Sequence, residues 1–341
     1  MSGRTHPVRL ADVADLAGVS IATASRVLNG TDRPVGEHLR ARVLDAAAEL
    51  RYTPNANAQA VARGASNTIG LIVHDITDPY FSTIAAGVTQ LAEEHGTVVL
   101  LANTRRRPEL EREYVAMMSA QRARAVIIVG SRYASRKENE ALSAEIARFT
   151  AAGGRAACVS QNRLAIDTVV PQNFTGARQL AEALLELGHR RFAVLAGPHD
   201  LLTARDRLRG FEAALDGLDG TSVRVVHGPF TRDGGYDAAR ELATDGLDET
   251  CVFAVNDVMA VGAIAAFREL GIGVPGEVSV AGFDDIAPLR DLLPPLTTVR
   301  LPLEAMGTAA AEMALELGPG SPRVVKVMGE VVLRASTRRI G

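Results

Sequence analysis

Four carboxylates stand in two close groups, Asp75 with Asp78 in HDITDPYF and Asp284 with Asp285 in AGFDD. Paired carboxylates could serve as acid and nucleophile in glycoside hydrolysis; the same groups could equally accept hydroxyl protons from a bound polyol or cap helices. Nothing else supports catalysis, because the chain holds no HExxH, no GxSxG, no P-loop, and no Cys or His at a nucleophilic spacing. One literal GxGxxG runs from Gly271 through Gly273 to Gly276. It follows a helical pattern and precedes the strand-like EVSVAGF, the reverse of the order a dinucleotide site needs. Cys158 and Cys251 lack CxxC or paired-His spacing, so neither a disulfide framework, a metal site nor a cofactor is expected, and a reducing cytoplasm is implied.

The polar residues that follow apolar runs are the ones to position. FAVND and AGFDD each end in a polar pair, which turns Asn256 and Asp284 toward a cleft and leaves Asp257 and Asp285 to cap helices. Either Asp75 or Asp78 could cap a helix beginning near Pro79. Arg205, Arg207 and Arg209 in TARDRLRGF fit a solvated basic face, and Phe230 fits a core position.

The elements that would hold these residues are legible as short β-branched runs alternating with helical segments such as 81–94 and 257–270: TIGLIV, TVVLLAN, RAVIIVG, RAACVS, RFAVLAG, SVRVVHG, CVFAVN and EVSVAGF. Such alternation predicts parallel sheets covered by helices on both faces. The strands are too many for one compact sheet, so two doubly wound lobes are expected, with ligand outside the carboxyl ends of the strands.

At 341 residues with 47% hydrophobic composition, the chain can bury two or three cores. No apolar leader opens it, and no stretch reaches the roughly 18 apolar residues a membrane span needs. The net charge of −3 is unevenly divided: residues 1–65 carry +2 and the remainder −5. That is a weak pointer to nucleic acid.

In the first 60 residues, Leu10, Val13, Ala14 and Ala17 form one apolar stripe, with Gly18 as its stop. Ser20 can cap a second helix whose Ala24, Val27 and Leu28 turn inward, and Val35, Leu39, Val43, Ala46, Ala47 and Leu50 mark a third. Ile21, Ala22, Ser25 and Arg26 are left outside, where a recognition helix meets base edges and phosphates. A plain three-helix bundle fits the same pattern.

The run VRLADVADLAGVSIATASRVLNG, followed by PNANAQAVARGASNTIGLIV, closely resembles the lactose-repressor (LacI/GalR) family of bacterial regulators. The resemblance implies an all-α helix-turn-helix N-terminal domain plus an α/β periplasmic-binding-protein-like effector domain of two doubly wound lobes. By it, residues 1–53 form the DNA-binding domain, 54–66 a hinge helix or linker, and 67–341 the effector-binding and dimerisation domain. The N-lobe would comprise about 67–163 and 296–322, and the C-lobe about 164–295 and 323–341, with crossings near 161–166, 289–297 and 321–325.

The same resemblance implies DNA contacts from Leu10, Ser20, Ile21, Ala22, Thr23, Ser25, Arg26, Asn29 and Tyr52, and from Asn55, Ala58 and Val61 of the hinge. Val61 stands where the family carries a leucine wedge that opens a base step from the minor groove; Ala24 and Gly36 replace the usual valine and serine cap. Effector contacts are implied for Asp78, Tyr80, Phe81, Arg207, Phe230, Asn256 and Asp284. Ser160 and Leu301 replace the aspartate and glutamine that many sugar-binding relatives carry, which shifts the expected ligand toward a less hydroxylated or modified sugar, or a nucleoside.

The resemblance thus implies a dimeric repressor that binds a pseudo-palindromic DNA operator under control of a small carbohydrate-like effector, with no cofactor and no membrane. A stand-alone sugar- or nucleoside-binding protein would account for residues 67–341 but leaves 8–64 unexplained.

Overall fold

In this computed structural model, which describes residues 8–29, 35–53, 66–316 and 320–340, the chain divides into two units, Met1–Ser66 and Asn67–Gly341. The first unit begins with α1 (Leu10–Ala17), where the Arg9 amide donates to the Asp12 carboxylate at 2.7 Å. Gly18, at φ 62°, ends that helix in the left-handed conformation which glycine adopts without strain. Ser20 then accepts from the Thr23 amide at 3.1 Å and starts α2 (Ile21–Asn29). The third helix, α3 (Glu37–Glu49), starts at Gly36, which has no side chain to cap it. Val13, Ala24 and Val43 meet at full burial, but five of the seven buried core residues described here are alanines. Each buried methylene contributes only about 0.8 kcal/mol, so this core depends on its half-buried rim of Leu10, Val19, Val27, Leu28, Leu50 and Tyr52.

The second unit contains the two lobes that the strand–helix alternation predicts. Its N-lobe runs β1 (Thr68–Val73), α4 (Pro79–Glu94), β2 (Val98–Asn103), α5 (Pro108–Ala120), β3 (Ala125–Val129), α6 (Arg136–Ala151), β4 (Arg155–Val159) and β5 (Asp167–Pro171). Its C-lobe follows with α7 (Asn173–Glu186), β6 (Arg191–Ala196), α8 (Leu202–Ala213), β7 (Ser222–His227), α9 (Arg232–Thr244), β8 (Cys251–Ala254), α10 (Asp257–Glu269), β9 (Ser279–Ala281) and β10 (Thr298–Arg300). The chain then returns through α11 (Leu303–Leu315) and β11 (Val324–Val327) before closing on β12 (Glu330–Val332).

One parallel sheet has the order β11-β5-β4-β3-β1-β2 and the other β7-β6-β8-β9, while β10 pairs antiparallel with β12. The period-two alternation of β1 and β3 serves both faces of the first sheet. Ile69, Leu71, Val73 and Ile127 enter the core with α4 and α11, whereas Ile72, Val126 and Ile128 meet α5 and α6.

Strand pairing moves all three lobe crossings later than the sequence suggests. β5 lies in register with β4, so the chain stays in the first sheet beyond 161–166 and leaves after Pro171. Residues 289–297 do not cross: Thr297 bridges Ala281 and Arg300 bridges Asp284, and the return begins at 301. β11 pairs with β5, which puts the last crossing at 328–329 instead of 321–325.

Candidate functional site

Between the carboxyl ends of the two sheets lies a small, partly open cavity lined by both lobes, the place where ligands sit in folds of this class. His74 reaches it directly from β1, Asp78, Tyr80 and Phe81 from the start of α4, Arg106 from the turn after β2, and Ser131 from the end of β3. The facing lobe contributes Leu201 and Thr203 from the start of α8, Arg207 one turn further on, Phe230 after β7 and Asp284 after β9.

Arg207 is fixed before any ligand arrives. Its Nε donates to Asn173 Oδ1 at 2.9 Å, Nη1 to the Val255 carbonyl at 2.7 Å, and Nη1 and Nη2 to Asp284 at 3.3 and 2.7 Å. The guanidinium carbon also lies 3.8 Å from the centroid of the Phe283 ring. A solvated basic face therefore does not describe this residue, which is 2% exposed. Asp284 sits at φ 123°, a conformation that costs a non-glycine residue backbone strain. Burial pushes its carboxyl up to about 6 against the pull of Arg207, so at neutral pH it is an anion able to accept hydroxyl protons. Asp78 both lines the cavity and caps α4, accepting from the Tyr80 amide at 3.0 Å; burial raises its pKa. Tyr80 and Phe81 meet edge to face at 5.0 Å, and together with Phe230 they give the cavity apolar walls suited to C–H faces.

A buried polar cluster supports the N-lobe wall. Arg132 donates to both oxygens of Glu111 at 2.6 and 2.8 Å, and His74 Nε2 lies 3.1 Å from Glu111 Oε1. Burial opposes ionisation of Glu111, but the charge of Arg132 and the bonds from His74 and Arg132 prevail and hold it at about 2. The anionic Glu111 thus fixes the proton of neutral His74 on Nε2, since burial lowers the pKa of the imidazole.

Three anticipated effector residues lie away from the lining. Ser160 is buried, donating to the Gly130 carbonyl at 2.6 Å and accepting from Arg132 Nε at 3.2 Å. Asn256 is the N-cap of α10, its Oδ1 accepting from the Met259 amide at 3.0 Å. Asp257, not Asn256, is the residue freed from capping: its carboxylate accepts from the Ile286 amide and the Thr298 hydroxyl at 3.0 and 2.7 Å. Asp285 likewise caps no helix and instead joins Arg300 and Arg334. Leu301 is buried and borders a separate groove with Thr83, Arg300 and Glu304. His74 and Ser131 were missed although each follows an apolar strand run, the signal that singled out Asp284; Arg106 and Thr203 carried no comparable mark.

Comparison with known proteins identifies both units. Residues 9–55 match the model described as bacterial regulatory proteins, lacI family, and residues 181–337 match a periplasmic binding protein-like domain. The HTH-type transcriptional regulator GalR of Salmonella typhimurium (strain SL1344) is 35% identical over 327 residues, 95% of this chain and 94% of the relative. The chain belongs to the lacI family of bacterial regulatory proteins. Among solved structures, the lac repressor dimer bound to operator and the anti-inducer ONPF superposes with a TM-score of 0.82 at 29% identity, over 98% of this chain and 100% of the other. A complex of the transcriptional regulator CelR with cellobiose gives a TM-score of 0.70 at 29% identity, over 96% and 99%.

This lacI-family chain is thus a DNA-binding transcription regulator, and α2 lies within the matched segment. Ile21, Ala22 and Arg26 are exposed on it, Ile21 to 55%. Ser25 is half-buried. Ser20 is exposed, but its hydroxyl lies 2.8 Å from that of Thr23, so the helix cap engages both. Leu10 and Tyr52 pack on the core rim. The side chain of Asn29, and Asn55, Ala58 and Val61, lie outside the described residues. Among the described residues no helix is long and apolar enough to cross a membrane.

Proposed function

We propose that this regulator is a cytoplasmic, homodimeric repressor that reads a pseudo-palindromic operator with α2 of each protomer and responds to one small, polar effector, a sugar or sugar derivative. Ile21 and Ala22 suit thymine methyl groups, and Arg26 a guanine edge or a phosphate. The effector would sit in the interlobe cavity and alter operator affinity through the angle between the lobes. No catalytic step, metal or prosthetic group enters this reading.

The observation that carries it is the Arg207–Asp284 pair facing Tyr80, Phe81 and Phe230, a charged hydroxyl clamp set among apolar faces. The binding of cellobiose by the CelR relative and of operator by the lac repressor dimer supports it.

Selection from a randomised duplex library at physiological salt is the direct test, with and without a mixture of small carbohydrates. An enriched pseudo-palindrome, weakened by Arg26→Ala by about 1–3 kcal/mol, is the expected result. Folded protein that enriches no sequence under either condition would favour a stand-alone ligand-binding protein.

A further inference from the structure

We infer that the effector carries an anionic group, a carboxylate or a phosphate, and that Arg106 receives it. The inference rests on the cavity being the effector site and adds the ligand's charge.

Arg105 and Arg106 occupy successive left-handed conformations, at φ 51° and 58°, which non-glycine residues rarely adopt in sequence. Two contacts hold this turn: Asn103 Oδ1 accepts from the Arg105 amide at 3.2 Å, and the Tyr133 hydroxyl donates to the Arg106 carbonyl. The turn delivers the half-buried Arg106 side chain to the cavity. Its guanidinium carbon lies 5.6 Å from the ring centroid of Phe230 on the opposite lobe. Among the described residues that guanidinium makes no hydrogen bond and no ion pair. The other two arginines nearby differ, since Arg132 is matched by Glu111 and Arg207 by Asp284.

Two guanidinium groups and two carboxylates line the cavity, and Arg106 is the one of the four that makes no hydrogen bond or ion pair among the described residues. Asp284 is neutralised by its two bonds to Arg207. Asp78 faces the first amides of α4 and accepts from one of them, so the positive end of the helix already offsets its charge. Arg106 lies close enough to Asp78 to act on it but is not paired with it; a guanidinium whose five donors make no hydrogen bond among the described residues favours a planar carboxylate or a phosphate, whose bonds to it are charge-assisted. Thr203 can add a donor: its Oγ1 accepts from Gln161 Nε2 at 2.9 Å, which leaves its own proton for the cavity. His74, with its Nε2 proton committed to Glu111, can offer only an acceptor and suits a hydroxyl of the same ligand.

The test is calorimetric titration of the full chain with matched probes at constant ionic strength: glucose against glucuronate, galactose against galacturonate, and ribose against ribose 5-phosphate. At least one anionic member should bind roughly 10- to 100-fold more tightly than its neutral partner, the range expected of a hydrogen-bonded charge. Arg106→Gln should erase that preference, and Arg106→Lys should retain part of it, with ligand-free melting temperatures confirming that both variants fold. Equal or tighter binding of the neutral members overturns the inference. So does the absence of binding by every anionic probe, or a preference that survives in Arg106→Gln. A chain that selects an operator but shows no dependence on anions loses this inference and keeps the regulator reading. Anion binding through Arg106 without operator selection would do the reverse.

Discussion

Asp257 and Asp284 are both raised by burial, but only Asp284 has a guanidinium against it among the described residues. Asp257 reaches about 8, with the nearby Asp284 charge adding to desolvation and the bonds from Thr298 and Ile286 opposing it; Asp284 reaches about 6. In the unfolded chain both ionise near their ordinary 3.8. From that value up to the native one, the folded state binds the extra proton, so stability falls as pH rises. His74 and His189, lowered by burial, act in the opposite sense but only below their ordinary 6.5. Asp257 thus contributes a decline in stability as pH rises towards 8, to which the raised Asp78, Asp206 and Asp284 add in the same sense, with a ceiling of about 1.4 kcal/mol per pH unit for each proton. Denaturant melts should show Asp257→Asn flattening that decline, whatever its absolute stability; an unchanged slope would place the titration elsewhere. Sequence alone resolved Asp284 because a strand end aims one residue into the cleft. It exchanged Asn256 with Asp257 because a shift of one residue in the cap reverses which of two neighbours faces inward, and that register is set by tertiary contacts with Thr298 and Ile286.

At the scale of elements, the strands read correctly from sequence are those with apolar β-branched runs, from the buried β1, β3 and β6 to the half-exposed β2 and β7. Those overlooked are β5, β10, β11 and β12: β10 and β12 have three residues each, β11 is largely exposed, and all four have a partner far along the chain. They are also the strands at the crossings, which is why each crossing was placed too early. The close pairing of α4 with α11 was equally hidden, because glycine leaves no mark in an apolar pattern. A Cβ on Gly87 would run into the Glu304 carbonyl, and one on Gly307 into the Ile84 carbonyl. Two effects of opposite sign meet in Gly307→Ala. Helix propensity favours alanine by about 1 kcal/mol, whereas overpacking against backbone costs about 1–3 kcal/mol. Neither backbone can yield without the two helices separating, so the variant should melt below the wild type. A higher melting temperature would show that the helices are less closely joined.

On the scale of the whole ligand-binding unit, the lobes are joined beside the cavity by the chain itself. Tyr133 and Leu201 form an antiparallel bridge, the Ala134 amide donates to the Asp200 carbonyl at 2.8 Å, and the Leu202 amide to the Arg132 carbonyl at 3.0 Å. Side chains extend this seam: Thr203 donates its amide to Ser131 Oγ at 3.0 Å, while Gln161 accepts from the Arg132 amide at 2.8 Å and donates to Thr203 Oγ1 at 2.9 Å. Any opening of the cleft on this side must break these bonds together, so the lobes exchange between discrete arrangements, as a switch requires. Gln161 lies outside the cavity lining, and its removal therefore weakens the seam without touching a ligand. Losing a bond of this kind costs about 0.5–1.5 kcal/mol, which raises the open-to-closed ratio roughly 2- to 10-fold. In Gln161→Ala, hydrogen exchange at the Ala134, Leu202 and Thr203 amides should accelerate by that factor, while the amides of β3 keep their wild-type rates. Acceleration in β3 as well would report general loosening of the N-lobe. Unchanged exchange along the seam would mean that the lobes part elsewhere and that the effector cannot act by closing this edge.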